Sequence, residues 1–161
     1  MARLRRENVK IYLAGPCDTD HRTMMQRVAV KLRSAGYDVY CPFEIHIENA
    51  WDYTQEKWGN MVFEKDIEAI RNCDVFFMIS GGRIGSAGTN FEEGFAYALN
   101  KRIIVLQYGE NITTSLMTYS AATQFICCSN EHYMFDGAGL SHAIQAIEND
   151  FEKRRCSTTL T

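Results

Sequence analysis

Glu92 and Glu93 stand in the first turn of a helix, in the run Gly88-Thr89-Asn90-Phe91-Glu92-Glu93-Gly94-Phe95-Ala96-Tyr97-Ala98. A short apolar strand and a glycine-rich loop precede them. The unpaired N–H groups of a helix start carry partial positive charge, which favours ionised carboxylates and suits anionic ligands. Helical spacing separates the two acids. Glu92 shares a face with Phe95, Ala96 and Leu99, whereas Glu93 shares one with Ala96, Tyr97 and Asn100. A lone charge on an apolar face is expensive to bury. Glu92 is therefore the leading catalytic candidate, against the plainer reading of a glutamate that only serves the helix dipole.

Other residues with chemical capacity lie near strand ends. The loop Gly81-Gly82-Arg83-Ile84-Gly85-Ser86-Ala87-Gly88 lacks the Gly-Lys-Ser/Thr of a Walker A loop and the Gly-x-Gly-x-x-Gly dinucleotide fingerprint. It is either a flexible connection or a ligand cradle, in which Ser86 and nearby backbone donors suit a phosphate or a hydroxyl. Tyr12, close to Gly15-Pro16 at the end of the first strand, is either core or a group that orients a carboxylate. Asp66 shares its helix with Phe63, Ile67 and Ile70, and is either solvated or functional. Trp51, Tyr53 and Trp58 suit a lid or a stacking surface for a planar base.

The elements that must position these residues alternate strand and helix. Strands are expected over residues 9–14, 37–41, 74–79, 102–107 and 124–128. Helices are expected over 23–35, 56–72, 89–100, 114–122 and 140–153, with a long loop after Pro42. Short apolar strands alternating with helices imply βαβ units and a mostly parallel sheet. The expected fold is α/β: a single flavodoxin-like domain with about five parallel strands and helices on both faces, Rossmann-like order being the alternative. In either order ligands bind beyond the carboxyl ends of the strands. That rule selects the loops at 14–22, 42–55, 80–90 and 108–116.

Composition narrows the function classes. A length of 161 residues fits one domain over 1–161, with a frayed tail from about 156. A net charge of −3 without a basic helix argues against a nucleic-acid groove. Arg3, Arg5, Arg6 and Lys10 lack the apolar run of a signal peptide. No apolar stretch approaches the roughly 20 residues that cross a bilayer, so no membrane is expected. The cysteines (17, 41, 73, 127, 128 and 156) and histidines (21, 46, 132 and 142) show no zinc spacing, so no metal is expected. Free thiols in a reducing cytoplasm are the simplest reading.

Taken together, Lys10-Ile11-Tyr12-Leu13-Ala14-Gly15-Pro16, Asp66-Ile67 with Asn72-Cys73-Asp74, and Gly88-Thr89-Asn90-Phe91-Glu92-Glu93-Gly94 resemble the nucleoside 2-deoxyribosyltransferase family over about residues 9–120. The resemblance implies a flavodoxin-like fold and cleavage of the N-glycosidic bond of 2'-deoxynucleosides, without metal or organic cofactor. It assigns the nucleophile to Glu92, the tyrosine that orients it to Tyr12, and proton transfer near the base to Asp66. It also implies a homodimer or higher homo-oligomer with shared sites and a small-molecule nucleoside or nucleotide substrate.

Two departures bear on the substrate. Family transferases that act on free nucleosides commonly carry an aspartate six residues before the nucleophile, and an asparagine before Leu-Met in a loop from a neighbouring subunit. Here those positions are Ser86 and Ser115, the latter opening Ser115-Leu116-Met117. Both resemble the related 2'-deoxynucleoside 5'-monophosphate N-glycosidases, where serines receive the phosphate. An aspartate would repel a phosphate dianion, while hydroxyls and amides can donate to it. His21 or Arg22 could add positive charge. With Gly15 and Gly88 of the matching motifs, Ser86, Ser115 and Met117 form the expected substrate-binding set. The tail from Ser157 to Thr161 lacks the aromatic ending of some transferases. Base exchange, strict hydrolysis of 5'-monophosphates, and a non-catalytic nucleotide-sensing domain are the readings left open.

Overall fold

The computed structural model describes the backbone of residues 9–81, 86–109 and 115–158, and the side chains of these residues up to Asn149 together with Phe151. Eleven elements follow in order: β1 (Lys10–Ala14), α1 (Arg22–Ser34), β2 (Asp38–Tyr40), α2 (Gln55–Asn72), β3 (Val75–Ser80), α3 (Ala87–Ala98), β4 (Arg102–Tyr108), α4 (Leu116–Ala121), β5 (Gln124–Cys128), α5 (Glu131–Asp136) and α6 (Gly139–Thr158). The five strands form one parallel sheet in the order β2-β1-β3-β4-β5, which is flavodoxin-like rather than Rossmann-like.

The sheet is covered on both faces. Residues Ile11 and Leu13 of β1 point to a core shared with α1, α5 and α6, while Tyr12 and Ala14 point to one shared with α2, α3 and α4. Every residue of β3 is buried, the continuous apolar pattern of a central parallel strand. Side chains start the helices that matter most for the site. Thr54 caps α2 by accepting from the Lys57 amide, and Ser86 caps α3 by accepting from the Thr89 amide at 3.0 Å. Gly36, at φ 96°, turns the chain out of α1 into β2.

Several expectations are refined. The segment after Pro42 holds two 3-10 turns, Pro42–Glu44 and Ala50–Asp52, where an irregular loop is expected. Helix α5 is additional, and α6 carries the backbone through Thr158, into the tail expected to fray. Cys127 is exposed, unlike its buried neighbour Cys128. The N-terminal arginines, residues 82–85 of the glycine loop, residues 110–114, the Cys156 side chain and residues 159–161 lie outside the described residues. Among the described residues, no helix is long and apolar enough to cross a membrane.

Candidate active site

The reversal of strand order between β1 and β3 leaves a crevice at their carboxyl ends, and a cavity, the main one described here, opens there. Its volume is about 760 Å³. Glu92 of α3 and Asp66 of α2 both face it. Phe43, Ile45, Trp51 and Trp58 make much of its wall apolar, and Arg22 adds a guanidinium. Trp51 is 98% exposed and stands at the rim.

The electrostatics differ from those of surface carboxylates. Burial, and then the nearby Asp66 charge, push the pKa of Glu92 up to about 7, partly offset by the Tyr12 hydroxyl. Asp66 is likewise raised by burial and held back by a hydrogen bond that Tyr40 donates to its Oδ1 at 2.8 Å. Tyr12 is fully buried. Its hydroxyl faces Glu92 without completing a well-aligned hydrogen bond among the described residues. Burial first, then Glu92, raise that hydroxyl far above the usual phenol range, so it stays protonated and can only stabilise the carboxylate.

Cys17 lies on the same wall, its thiol directed at the Gly15 carbonyl (3.6 Å) and pushed up to about 11 by burial and by the two carboxylates. The residue is exposed overall, but a thiol raised this far is neutral near pH 7.

The remaining candidates fall into separate places. Gly88 and Ser86 line the cavity. The Thr89 hydroxyl donates to the Gly15 carbonyl at 2.9 Å, so the 2.8 Å contact between Ser86 Oγ and Thr89 Oγ1 must use the Ser86 proton. Ser86 thus offers lone pairs rather than a free donor as it stands. Gly15 is buried behind the wall, where its carbonyl ties β1 to the start of α3. Arg22 reaches the main cavity. His21, with Nδ1 2.7 Å from Asp18 Oδ1, borders a smaller cavity of about 250 Å³ beyond Ser86 and Thr89. Ser115 caps α4, and Met117 is exposed there; neither lines the cavity of its own chain.

The helix faces depart from the expected arrangement. The buried stripe of α3 is Thr89, Glu93 and Ala96, and Leu99 is exposed. Glu93, 6% exposed, is the more enclosed acid, and its Oε2 accepts from the Thr118 hydroxyl of α4 at 2.9 Å. Glu92 stands beside that stripe, at the cavity. Packing of α4 against α3 is the reason, and the α3 sequence alone does not carry it.

Tyr40 is the residue that sequence reasoning missed. Its signal is the pairing of two strand-end tyrosines, because Tyr12 and Tyr40 are register partners.

Comparison with known proteins agrees with this fold. The nucleoside 2-deoxyribosyltransferase family profile matches residues 11–142. No curated protein matches the sequence. Among solved structures, the 2-deoxyribosyltransferase of Bacillus psychrosaccharolyticus is 26% identical, with 82% of this chain and 96% of that chain covered and a TM-score of 0.61. A CMP N-glycosidase from Clostridium botulinum, 21% identical over 76% of this chain and 91% of that one, shares the fold with a TM-score of 0.55. So does a conserved protein from Enterococcus faecalis V583, 18% identical over 86% and 98%, with a TM-score of 0.64. From the first strand into the last helix, then, the chain belongs to the nucleoside 2-deoxyribosyltransferase family.

Proposed function

We propose that this enzyme cleaves the N-glycosidic bond of 2'-deoxynucleosides or their 5'-monophosphates, with Glu92 as nucleophile, and passes the sugar to a second base or to water. The observation that carries the reading is the sharing of one cavity by Glu92 and Asp66, two carboxylates with raised pKa values. A Glu92 oxygen attacks C1' through an oxocarbenium-like transition state, and the C1'–N electrons leave with the base. Asp66 protonates the departing nitrogen. The resulting glycosyl ester is opened by a second base or by water, whose proton returns to Asp66. Two displacements retain the configuration at C1'. The apolar wall, with Trp58 and Phe43, suits the base.

The 5'-monophosphate reading with water as acceptor is favoured by Arg22 on the wall and by a serine, not an acid, at position 86. Ser115 and Met117 reach a substrate only if a second copy supplies them, so a role for them in the site requires a homo-oligomer with shared sites.

Chromatography of free base released from deoxynucleosides and 5'-monophosphates, each with and without a second base, tests this. Release from monophosphates without acceptor identifies a nucleotide hydrolase, and a new nucleoside formed only with acceptor identifies a transferase. Glu92→Gln is expected to lower turnover by about a thousandfold or more. Full activity in that variant would overturn the assignment.

A further inference from the structure

We propose that Tyr40 is a positioning residue for Asp66: it holds one carboxylate oxygen so that the other is aimed at the departing base. The inference rests on reading Asp66 as the acid. Register places Tyr40 directly beside Tyr12. The two rings stack at 5.4 Å and 19°, and Tyr12 stacks in turn on Phe76 at 5.5 Å and 7°. A ring clamped in this way has little freedom at its hydroxyl, which donates to Asp66 Oδ1 at 2.8 Å. With Oδ1 engaged, the swing of the carboxyl group is restricted and Oδ2 is left for the proton. Pre-set orientation of this kind is what an acid needs to transfer its proton within the transition state.

The two tyrosines then serve the two acids separately, Tyr12 behind Glu92 and Tyr40 behind Asp66. The groups facing Asp66 are Tyr40 from β2, Tyr12 from β1, Cys17 from the loop after β1 and Glu92 from α3. Arg22 and His46 stand on the same cavity wall. Among these, Tyr40 is the one hydrogen-bonded to Asp66 among the described residues. Donation by Tyr40 favours the ionised form, so loss of the hydroxyl raises the proton affinity of Asp66.

Tyr40→Phe keeps the stacked ring and removes only the hydroxyl. On substrates with ordinary bases, kcat is expected to fall about tenfold to a hundredfold with KM little changed. The pH limb belonging to Asp66 moves to higher pH. The decisive readout is the dependence of kcat/KM on the leaving base. Bases that depart readily, such as 5-fluorinated pyrimidines or N7-methylated purines, need less protonation, so they should recover most of the lost rate in Tyr40→Phe and in Asp66→Asn alike. If Asp66→Asn shows that recovery and Tyr40→Phe loses all substrates equally or none, the role of Tyr40 is overturned while Asp66 stands. If Asp66→Asn shows no dependence on the leaving base, the reading of Asp66 falls and the inference falls with it.

Discussion

Glu92 lies where its own charge is disfavoured, and that has consequences for both stability and rate. Its pKa in the folded chain, about 7, stands above the usual 4.5, which corresponds to at most about 3 kcal/mol of destabilisation when it is ionised. Between these values the folded chain binds the proton that the unfolded chain has released. Stability from this group is therefore full below about pH 4.5, declines as pH rises towards 7, and is flat above. Glu92→Gln removes the charge at nearly constant volume. Denaturant unfolding at pH 8 should show the variant stabilised by up to about 3 kcal/mol, and unfolding at pH 4 should show little difference. Equal stabilities at both pH values would mean that the carboxylate is solvated. The rate has the opposite dependence, because only the ionised glutamate attacks. In the free enzyme kcat/KM should fall about tenfold per unit as pH drops below about 7. A profile level down to pH 5 would contradict the buried, raised carboxylate.

At the scale of elements, the start of α3 is where folding and binding meet, and Ser86 can separate them. Its oxygen accepts from the Thr89 amide, so Ser86→Ala should lower stability by about 1 kcal/mol. Ser86→Asp keeps the acceptor and adds a negative charge that the helix start tolerates, but loses the proton that Ser86 gives to Thr89 Oγ1. Thermal unfolding of Ser86→Asp should therefore fall above Ser86→Ala and at or below the wild type. A 5'-phosphate would meet like charge, so KM for monophosphates should rise by about tenfold or more while nucleosides are unaffected. Parallel changes on both substrates would place the phosphate elsewhere. Strand and helix order was legible because buried parallel strands read as plain apolar runs, as in Val75 to Ser80. Helix α5 was not, since six residues span too few turns for a periodic pattern to emerge. Glu92 does line the cavity, but not by way of a buried apolar face of α3: the buried stripe carries Glu93, because α4 packs on α3 and its Thr118 draws Glu93 inward. The link of Tyr40 to Asp66 is illegible for a related reason: Asp66 lies 26 positions away and is brought near by α2 packing on the sheet.

Among the described residues, most of the exposed large apolar side chains lie on the face that bears the helices of the site, Val30 and Tyr133 being on the other. Leu116 and Met117 at the start of α4 are 83% and 80% exposed, and Tyr119, Tyr97, Phe91 and Phe63 are exposed beside them in sequence or on neighbouring helices. Phe63 and Phe91 meet at 6.0 Å, so α2 and α3 present their rings together. A protein with a net charge of only −3 gains little electrostatic protection from association through such a surface. The expected occupant is a second copy, whose own Ser115 and Met117 would then approach the neighbouring cavity. Met117→Glu places a charge on that surface and touches little within its own chain, so thermal unfolding of the separated chain should be unaffected. Sedimentation velocity should show the wild type as a dimer or larger and the variant shifted towards monomer. Activity per chain should fall with assembly and recover at high protein concentration, because a site completed by a neighbour depends on mass action. A wild type that is monomeric at all concentrations, or a monomeric variant with full activity, would remove Ser115 and Met117 from the site and leave Arg22 and the start of α3 to bind the sugar end of the substrate within a single chain.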